Sequence, residues 1–83
     1  MTSYVLDPLV ALRPEPFGAL AYHYGNRRLT FLRSPDLVDL VTSLDRFDSV
    51  DDALVASGIS EQRWPSFRRA LETLADSEVI RER

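Results

Sequence analysis

The hydrophobic pattern changes at residue 34. Short apolar runs bounded by Pro or Gly come first, and apolar residues then recur every three or four positions. The first pattern is typical of strands and the second of helices. The change of pattern predicts strands over residues 9–13, 17–24 and 27–33, then helices over residues 35–45, 50–57 and 61–77. We therefore expect a single α+β domain over residues 1–83, winged-helix-like, in which a three-stranded antiparallel sheet precedes three helices.

The second and third predicted strands flank Gly25 and Asn26. This pair suits a two-residue hairpin turn in which Gly25 takes a positive φ. The turn gives three residue pairs: Tyr22 with Leu29, Leu20 with Phe31, and Ala21 with Thr30. One face of the ribbon then carries Leu20, Tyr22, Leu29 and Phe31, and the other carries Ala19, Ala21, His23, Arg28, Thr30 and Leu32. A slip of one residue would mix the two sets, which supports this register.

Local signals mark the helix ends. Ser34 and Ser49 are placed to cap the first two helices, Gly58 to end the second, and Ser60 to cap the third. In the third helix one face carries Trp64, Phe67, Leu71, Leu74 and Ala75. Pro65 would remove a backbone hydrogen bond, so either residues 60–64 form a separate turn or the helix kinks there. Residues 79–80 predict a stub of strand, and the residues before Leu6 are given no role.

Composition excludes several kinds of chemistry. The chain has no Cys, which excludes disulfides, thiolate metal sites and thiol catalysis, and its net charge is −3. His23 is the single histidine, and no Ser or acid is placed beside it by any motif, so we interpret it as a strand-face residue without a catalytic role. The three glycines are too far apart for a phosphate-binding loop. We expect no enzyme activity, no cofactor, no metal and no nucleic-acid partner.

The chain carries no membrane or export signal. No apolar run is long enough to span a membrane, and the start lacks a basic segment followed by an apolar stretch. We expect a cytoplasmic protein that has no membrane partner.

The sheet edges bear on binding. The strand at residues 9–13 is bracketed by Pro8, Pro14 and Pro16, which blunt an edge, whereas residues 27–33 contain no proline. This second edge could accept another strand. Arginines line it and the start of the third helix: Arg27, Arg28, Arg33, Arg63, Arg68 and Arg69. If that helix packs beside the edge, an acidic amphipathic peptide would fit the groove. Equally, the arginines could be edge-protecting charges with no ligand.

Four segments resemble a known family. They are VALRPEPFGALAY at residues 10–22, LTFL at 29–32, SPDLV at 34–38 and FRRALETL at 67–74. Together they are similar to the mycofactocin biosynthesis chaperones, small relatives of the pyrroloquinoline-quinone biosynthesis peptide chaperone that are built as RiPP recognition elements.

The resemblance implies a function without catalysis. Such proteins bind the leader of a ribosomally made precursor peptide along the third strand and against the third helix, and present its C-terminal Val-Tyr core to a radical S-adenosylmethionine maturase. The resemblance implies that the backbone of the peptide pairs with Leu29, Thr30, Phe31 and Leu32. It implies that acidic side chains of the leader pair with Arg28, Arg33 and Arg68. Apolar side chains of the leader would be received by Trp64, Phe67 and Leu71, unless these three only support the groove. We expect an affinity between sub-micromolar and micromolar. Thr30→Pro should weaken binding if the Thr30 N–H points outward.

Two other functions stay open. A winged-helix DNA-binding protein would read DNA with the third helix, but that helix also carries acids and the protein is acidic. An accessory subunit would bind the maturase and never the free peptide. The acidic segment at residues 36–52 is either a docking surface for the maturase or a solvated helical face.

Overall fold

The structure is a computed structural model that describes residues 3–83. Its strands and helices, in chain order, are β1 (Tyr4–Leu6), β2 (Val10–Glu15), β3 (Gly18–His23), β4 (Leu29–Leu32), α1 (Pro35–Ser43), α2 (Val50–Ser57), α3 (Trp64–Asp76) and β5 (Ile80–Glu82). Strands β2, β3 and β4 form an antiparallel sheet in that order, ahead of the three helices. This confirms the predicted α+β class. The single domain and the winged-helix likeness stay predictions. So does the expected absence of an export signal at the start of the chain, whose first two residues, Met1 and Thr2, lie outside the described residues.

The predicted register of the hairpin is confirmed. Tyr22 lies opposite Leu29, Leu20 opposite Phe31 and Ala21 opposite Thr30. The face of small residues is the one that turns inward, where Ala19, Ala21 and Leu32 are buried. Small side chains at this face let α1 pack directly on β3. The largest fully buried side chains of the core come from all parts of the chain: Leu32, Leu40, Val41, Leu54, Leu71, Val79 and Ile80.

The turn between β3 and β4 is longer than predicted. Tyr24–Arg27 form a four-residue turn, in which the Arg27 N–H donates to the His23 carbonyl at 2.8 Å. The positive φ belongs to Arg27, at 61°, and not to Gly25, so the predicted two-residue turn is wrong. The cause is the His23 imidazole, whose Nδ1 accepts the N–H groups of Gly25 at 2.9 Å and Asn26 at 3.1 Å. A Cβ on Gly25 would lie 2.7 Å from Cε1 of His23, which explains the glycine.

A second small sheet joins the two ends of the described chain. Strand β1 pairs antiparallel with β5, so that Tyr4 lies opposite Glu82 and Leu6 opposite Ile80. The Asp7 N–H also donates to the Val79 carbonyl at 2.9 Å. The residues before Leu6 therefore have a structural role that the sequence analysis missed, and the predicted stub is a paired strand over residues 80–82.

Most of the predicted helix signals are confirmed. The hydroxyl groups of Ser34 and Ser49 accept N–H groups in the first turns of α1 and α2, and Gly58 ends α2 with a φ of 79°. Ser60 makes no side-chain cap, contrary to the prediction. Of the two alternatives given for residues 60–64, the separate turn is observed, as a 3-10 turn at Glu61–Arg63, so α3 begins at Trp64 and not at residue 61. Pro65 consequently falls in the first turn of α3, where the missing N–H costs nothing. No helix within residues 3–83 is both long and apolar enough to cross a membrane.

Gly18 provides a test of the close approach between β3 and β4. Its φ is 149°, and an added Cβ would overlap the Leu32 carbonyl oxygen. Since Leu32 is fixed in the core, we expect Gly18→Ala to lower the free energy of unfolding by about 2–4 kcal/mol. Urea denaturation checks this value.

Gly58→Ala is the matched control, because Gly58 also has a positive φ but an added Cβ would meet no atom. We expect it to cost about 1–2 kcal/mol from the backbone conformation alone. Equal losses in the two variants would contradict the packing argument at Gly18.

Candidate functional site

Strand β4 is an open edge of the main sheet. The His23 N–H donates to the Arg28 carbonyl at 3.0 Å, and hydrogen-bonded pairs alternate along an antiparallel ladder. Thr30 and Leu32 therefore direct their backbone groups to β3, while Leu29 and Phe31 direct theirs outward. Among residues 3–83, no backbone or side-chain group bonds to the outward N–H and C=O of Leu29 and Phe31.

The length of the turn determines which residues of β4 bond to β3 and which point outward. A two-residue Gly25–Asn26 turn would make Tyr24 and Arg27 a hydrogen-bonded pair, which would turn Thr30 outward. The four-residue turn shifts the bonds by one position without changing which residues face each other. The condition attached to Thr30→Pro is therefore not met, because the Thr30 N–H lies inside the hairpin.

The other edge of the sheet is blunted. The Tyr24 N–H donates to the Leu9 carbonyl at 2.8 Å, so alternation turns the backbone of Val10, Leu12 and Pro14 outward on β2. Pro14 has no N–H to offer at that position. The C-terminal strand pairs with β1 and leaves β4 uncovered. In the described part of the chain, β4 is thus the edge of the main sheet that carries no proline.

An apolar cleft lies on the outer face of the sheet, away from the helices. Phe17, Phe31 and Arg33 line this hollow of about 290 Å³, which we call the phenylalanine cleft. The two rings meet edge to face with centroids 6.0 Å apart, and the Arg33 guanidinium lies 5.4 Å from the centre of the Phe31 ring. Both rings are large, apolar and about half exposed.

A second hollow lies between α1 and α3. This α1–α3 groove has a volume of about 260 Å³ and is lined by Ser34, Leu37, Arg63, Ser66, Phe67 and Ala70. It begins at Ser34, two residues after the end of β4. Arg63 forms its rim, with its guanidinium 5.1 Å from the centre of the Phe67 ring and 3.1 Å from the Asp36 carboxylate. The floor of this groove is apolar, but the groove lies between α1 and α3 and not, as the sequence predicted, between β4 and α3. The charge of Arg63 on its rim is paired with Asp36.

The structure divides the predicted apolar site residues into two groups. Leu29 and Phe31 are exposed on the edge strand, whereas Leu32 and Leu71 are buried in the core. Phe67 is buried as well, but one side of it forms the groove floor. Two further predicted residues, Thr30 and Trp64, are half-buried. The indole N–H of Trp64 donates to the Ile59 carbonyl at 2.9 Å, a bond that fixes the entry into α3.

The predicted arginines differ in their partners. Arg68 forms an ion pair with Asp51 at the start of α2, and Arg63 pairs with Asp36. Within residues 3–83, Arg28 and Arg33 make no ion pair, and both are exposed at the two ends of β4. Two arginines without an intrachain carboxylate partner therefore flank the outward groups of Leu29 and Phe31.

Phe17, Leu37, Ser66 and Ala70 line these hollows but were not predicted as site residues. For Phe17 a signal was present, since a large apolar residue directly before Gly18 follows a proline turn and has no place in the alternating pattern of the ribbon. The other three became visible only when α1 was placed against α3.

Within the described residues, the polar side chains near the site do not meet the requirements of a metal site. Across residues 3–83, no three His, Asp or Glu side chains come together in a way that could hold a metal ion. His23 is 6% exposed and is occupied with the turn through Nδ1, which places its proton on Nε2, 3.6 Å from the Asp7 carboxylate.

Fold and site together define a small α+β protein with one open, arginine-flanked strand edge. The chain belongs to the peptide chaperone MftB family, whose model matches residues 3–81. It is 40% identical over 78 residues to peptide chaperone MftB of Mycolicibacterium smegmatis, a match that covers 94% of this chain and 76% of the relative. The proteins of the same name from Mycobacterium ulcerans and Mycobacterium tuberculosis are 41% and 37% identical over 75 residues, which is 90% of this chain and 69% of each relative. No solved structure matches the chain significantly.

His23→Leu tests how the turn holds the edge strand. Leucine fills the buried position of His23 with an apolar side chain but offers no acceptor to the N–H groups of Gly25 and Asn26. Because both amides lie in an exposed turn where water can replace the imidazole, we expect a loss of about 1–2 kcal/mol in the free energy of unfolding. Amide exchange at residues 25 and 26 should become faster. Unchanged exchange at these amides would contradict the role given to Nδ1.

Proposed function

We propose that the chain is a peptide chaperone that binds the leader segment of a ribosomally made precursor peptide and presents it to a radical S-adenosylmethionine maturase in mycofactocin biosynthesis. The names of the relatives support the class of function. The single observation that carries the mode of binding is the outward N–H and C=O of Leu29 and Phe31, which have no partner among residues 3–83.

Strand addition at β4 is the mode of binding that this edge supports. A guest segment would exchange backbone hydrogen bonds with Leu29 and Phe31 and extend the sheet to four strands. The residues of the guest would then alternate between the two faces of the sheet. Its continuation past the end of β4 would reach the α1–α3 groove, where Leu37 and Phe67 offer apolar surface.

Charge supports an acidic guest. Arg28 and Arg33 flank the outward backbone groups and are free of intrachain carboxylates within residues 3–83. Arg68 could pair with a leader acid only by giving up its ion pair with Asp51. Each exposed pair contributes about 0.2–1 kcal/mol, so such an exchange changes the affinity little and apolar contacts set most of the specificity.

The protein in this proposal is a cytoplasmic binding partner without catalytic activity. A binary titration with a synthetic leader of the mycofactocin precursor separates it from an accessory subunit, which would bind the maturase alone. A gel shift at low salt separates it from a DNA-binding winged helix, which would bind DNA with strong salt dependence.

Leu29→Pro tests strand addition directly. It removes an outward N–H and places a proline ring on the edge, while the pairing of Arg28, Thr30 and Leu32 with β3 is left in place. We expect the affinity for the synthetic leader to fall about tenfold or more, since one backbone bond and the fit of the guest strand are lost. Calorimetry provides the measurement.

Leu29→Ala is the matched control, because it removes the same side chain and keeps the N–H. The proline variant should bind clearly more weakly than the alanine variant, with both folded by circular dichroism. Equal affinities in the two variants would exclude a peptide that pairs with the backbone of Leu29.

A further inference from the structure

We propose that the phenylalanine cleft is an anchor site for one apolar side chain of the bound peptide, and that Arg33 selects an acidic residue two positions away from that anchor. This inference rests on the proposed function and adds a second contact region on the face of the sheet opposite the helices. The ligand it defines is an extended peptide segment with an aliphatic or aromatic residue and a carboxylate on the same face.

Exposure of the two rings is the first observation. Phe17 is 41% exposed and Phe31 is 51% exposed, and both are large apolar side chains. Their edge-to-face contact holds them as the two walls of an apolar hollow. An apolar side chain that enters this hollow would remove both rings from water.

The geometry of an added strand places one side chain of the guest beside this hollow. Phe31 has its backbone groups turned outward and its side chain on the outer face of the sheet. In a strand added to β4, the residue directly opposite Phe31 has its side chain on that same face, with Cβ atoms about 4.5–5.5 Å apart. That guest residue is therefore the one placed beside the Phe31 ring.

The backbone at Gly18 fixes the second wall. The Cα of Gly18 lies so close to the Leu32 carbonyl that no side chain fits there. This approach brings the start of β3 against the end of β4 and holds Phe17 next to Phe31. The cleft is consequently built by the rigid part of the hairpin.

Arg33 adds a positive charge to the cleft, which favours a guest peptide with an acidic side chain. Its guanidinium lies over the Phe31 ring, and no carboxylate within residues 3–83 pairs with it. Arg33 follows Phe31 by two positions, so a guest residue near Arg33 lies two positions from the anchor and on the same face. A carboxylate at that guest position would meet an arginine that is already held by a cation–π contact.

Phe17→Ala tests the anchor site in the full chain, with the synthetic leader of the mycofactocin precursor as probe. We expect the affinity measured by calorimetry to fall about tenfold, as for an apolar anchor residue. Tyr24→Ala is the matched control, because Tyr24 is an exposed aromatic residue at the opposite end of the hairpin and does not line the cleft. It should bind the leader as the native chain does.

An alanine scan of the leader identifies the anchored residue. One apolar position should weaken binding to the native chain about tenfold and have little further effect on the Phe17→Ala chain, as required for two groups in contact. Replacement of an acid two positions away should show the same coupling with Arg33→Gln. If Phe17→Ala is unstable, Phe31→Ala replaces it in the same cycle.

Several outcomes would overturn the anchor site. Native affinity of both Phe17→Ala and Phe31→Ala, with weak binding of Leu29→Pro, would leave strand addition standing and remove the cleft from the peptide site. Loss of maturase binding or of self-association in Phe17→Ala, with native leader affinity, would assign the cleft to another protein or to a second copy. Failure of the native chain to bind the leader would overturn both proposals.

Discussion

The pairing of β3 with β4 in one register is the constraint on which the rest of the molecule depends. It turns Ala19, Ala21 and Leu32 into the core and leaves Leu29 and Phe31 on the outer face. A shift of one residue would place bulky residues of one strand on the same face as small residues of the other. The same pairing determines which backbone groups stay free, because every second residue of β4 uses its groups on β3.

This register is held at both ends of the hairpin by close contacts rather than by turn propensity. At one end the imidazole of His23 accepts hydrogen bonds from the N–H groups of Gly25 and Asn26. The side-chain amide of Asn26 donates to the Glu78 carboxylate at 2.7 Å. At the other end Gly18 lies against the Leu32 carbonyl. A small domain has few such fixed points, so each one that bounds β4 contributes to the definition of the binding edge.

The elements that could be predicted from the sequence are those specified by neighbouring residues. The cap at Ser34, the stop at Gly58 and the alternation of the ribbon are local, and the structure confirms them. The pairing of β1 with β5 joins segments at opposite ends of the described chain and leaves no local signal. The site was predictable as an edge, because prolines mark the other edge of the sheet. The phase of its hydrogen bonds was not, since it depends on how the His23 side chain shapes the turn.

The open edge is short, and this limits how firmly a guest can be held. Two outward residues supply one donor and one acceptor each, and a backbone bond contributes about 0.5–1.5 kcal/mol net, less than the ordering of an extended chain requires. Side-chain contacts must supply the remainder, and these can be given up one at a time. A guest on such a ladder can dissociate while its host stays folded, which gives a short residence time and agrees with the proposed transfer of a bound peptide to an enzyme.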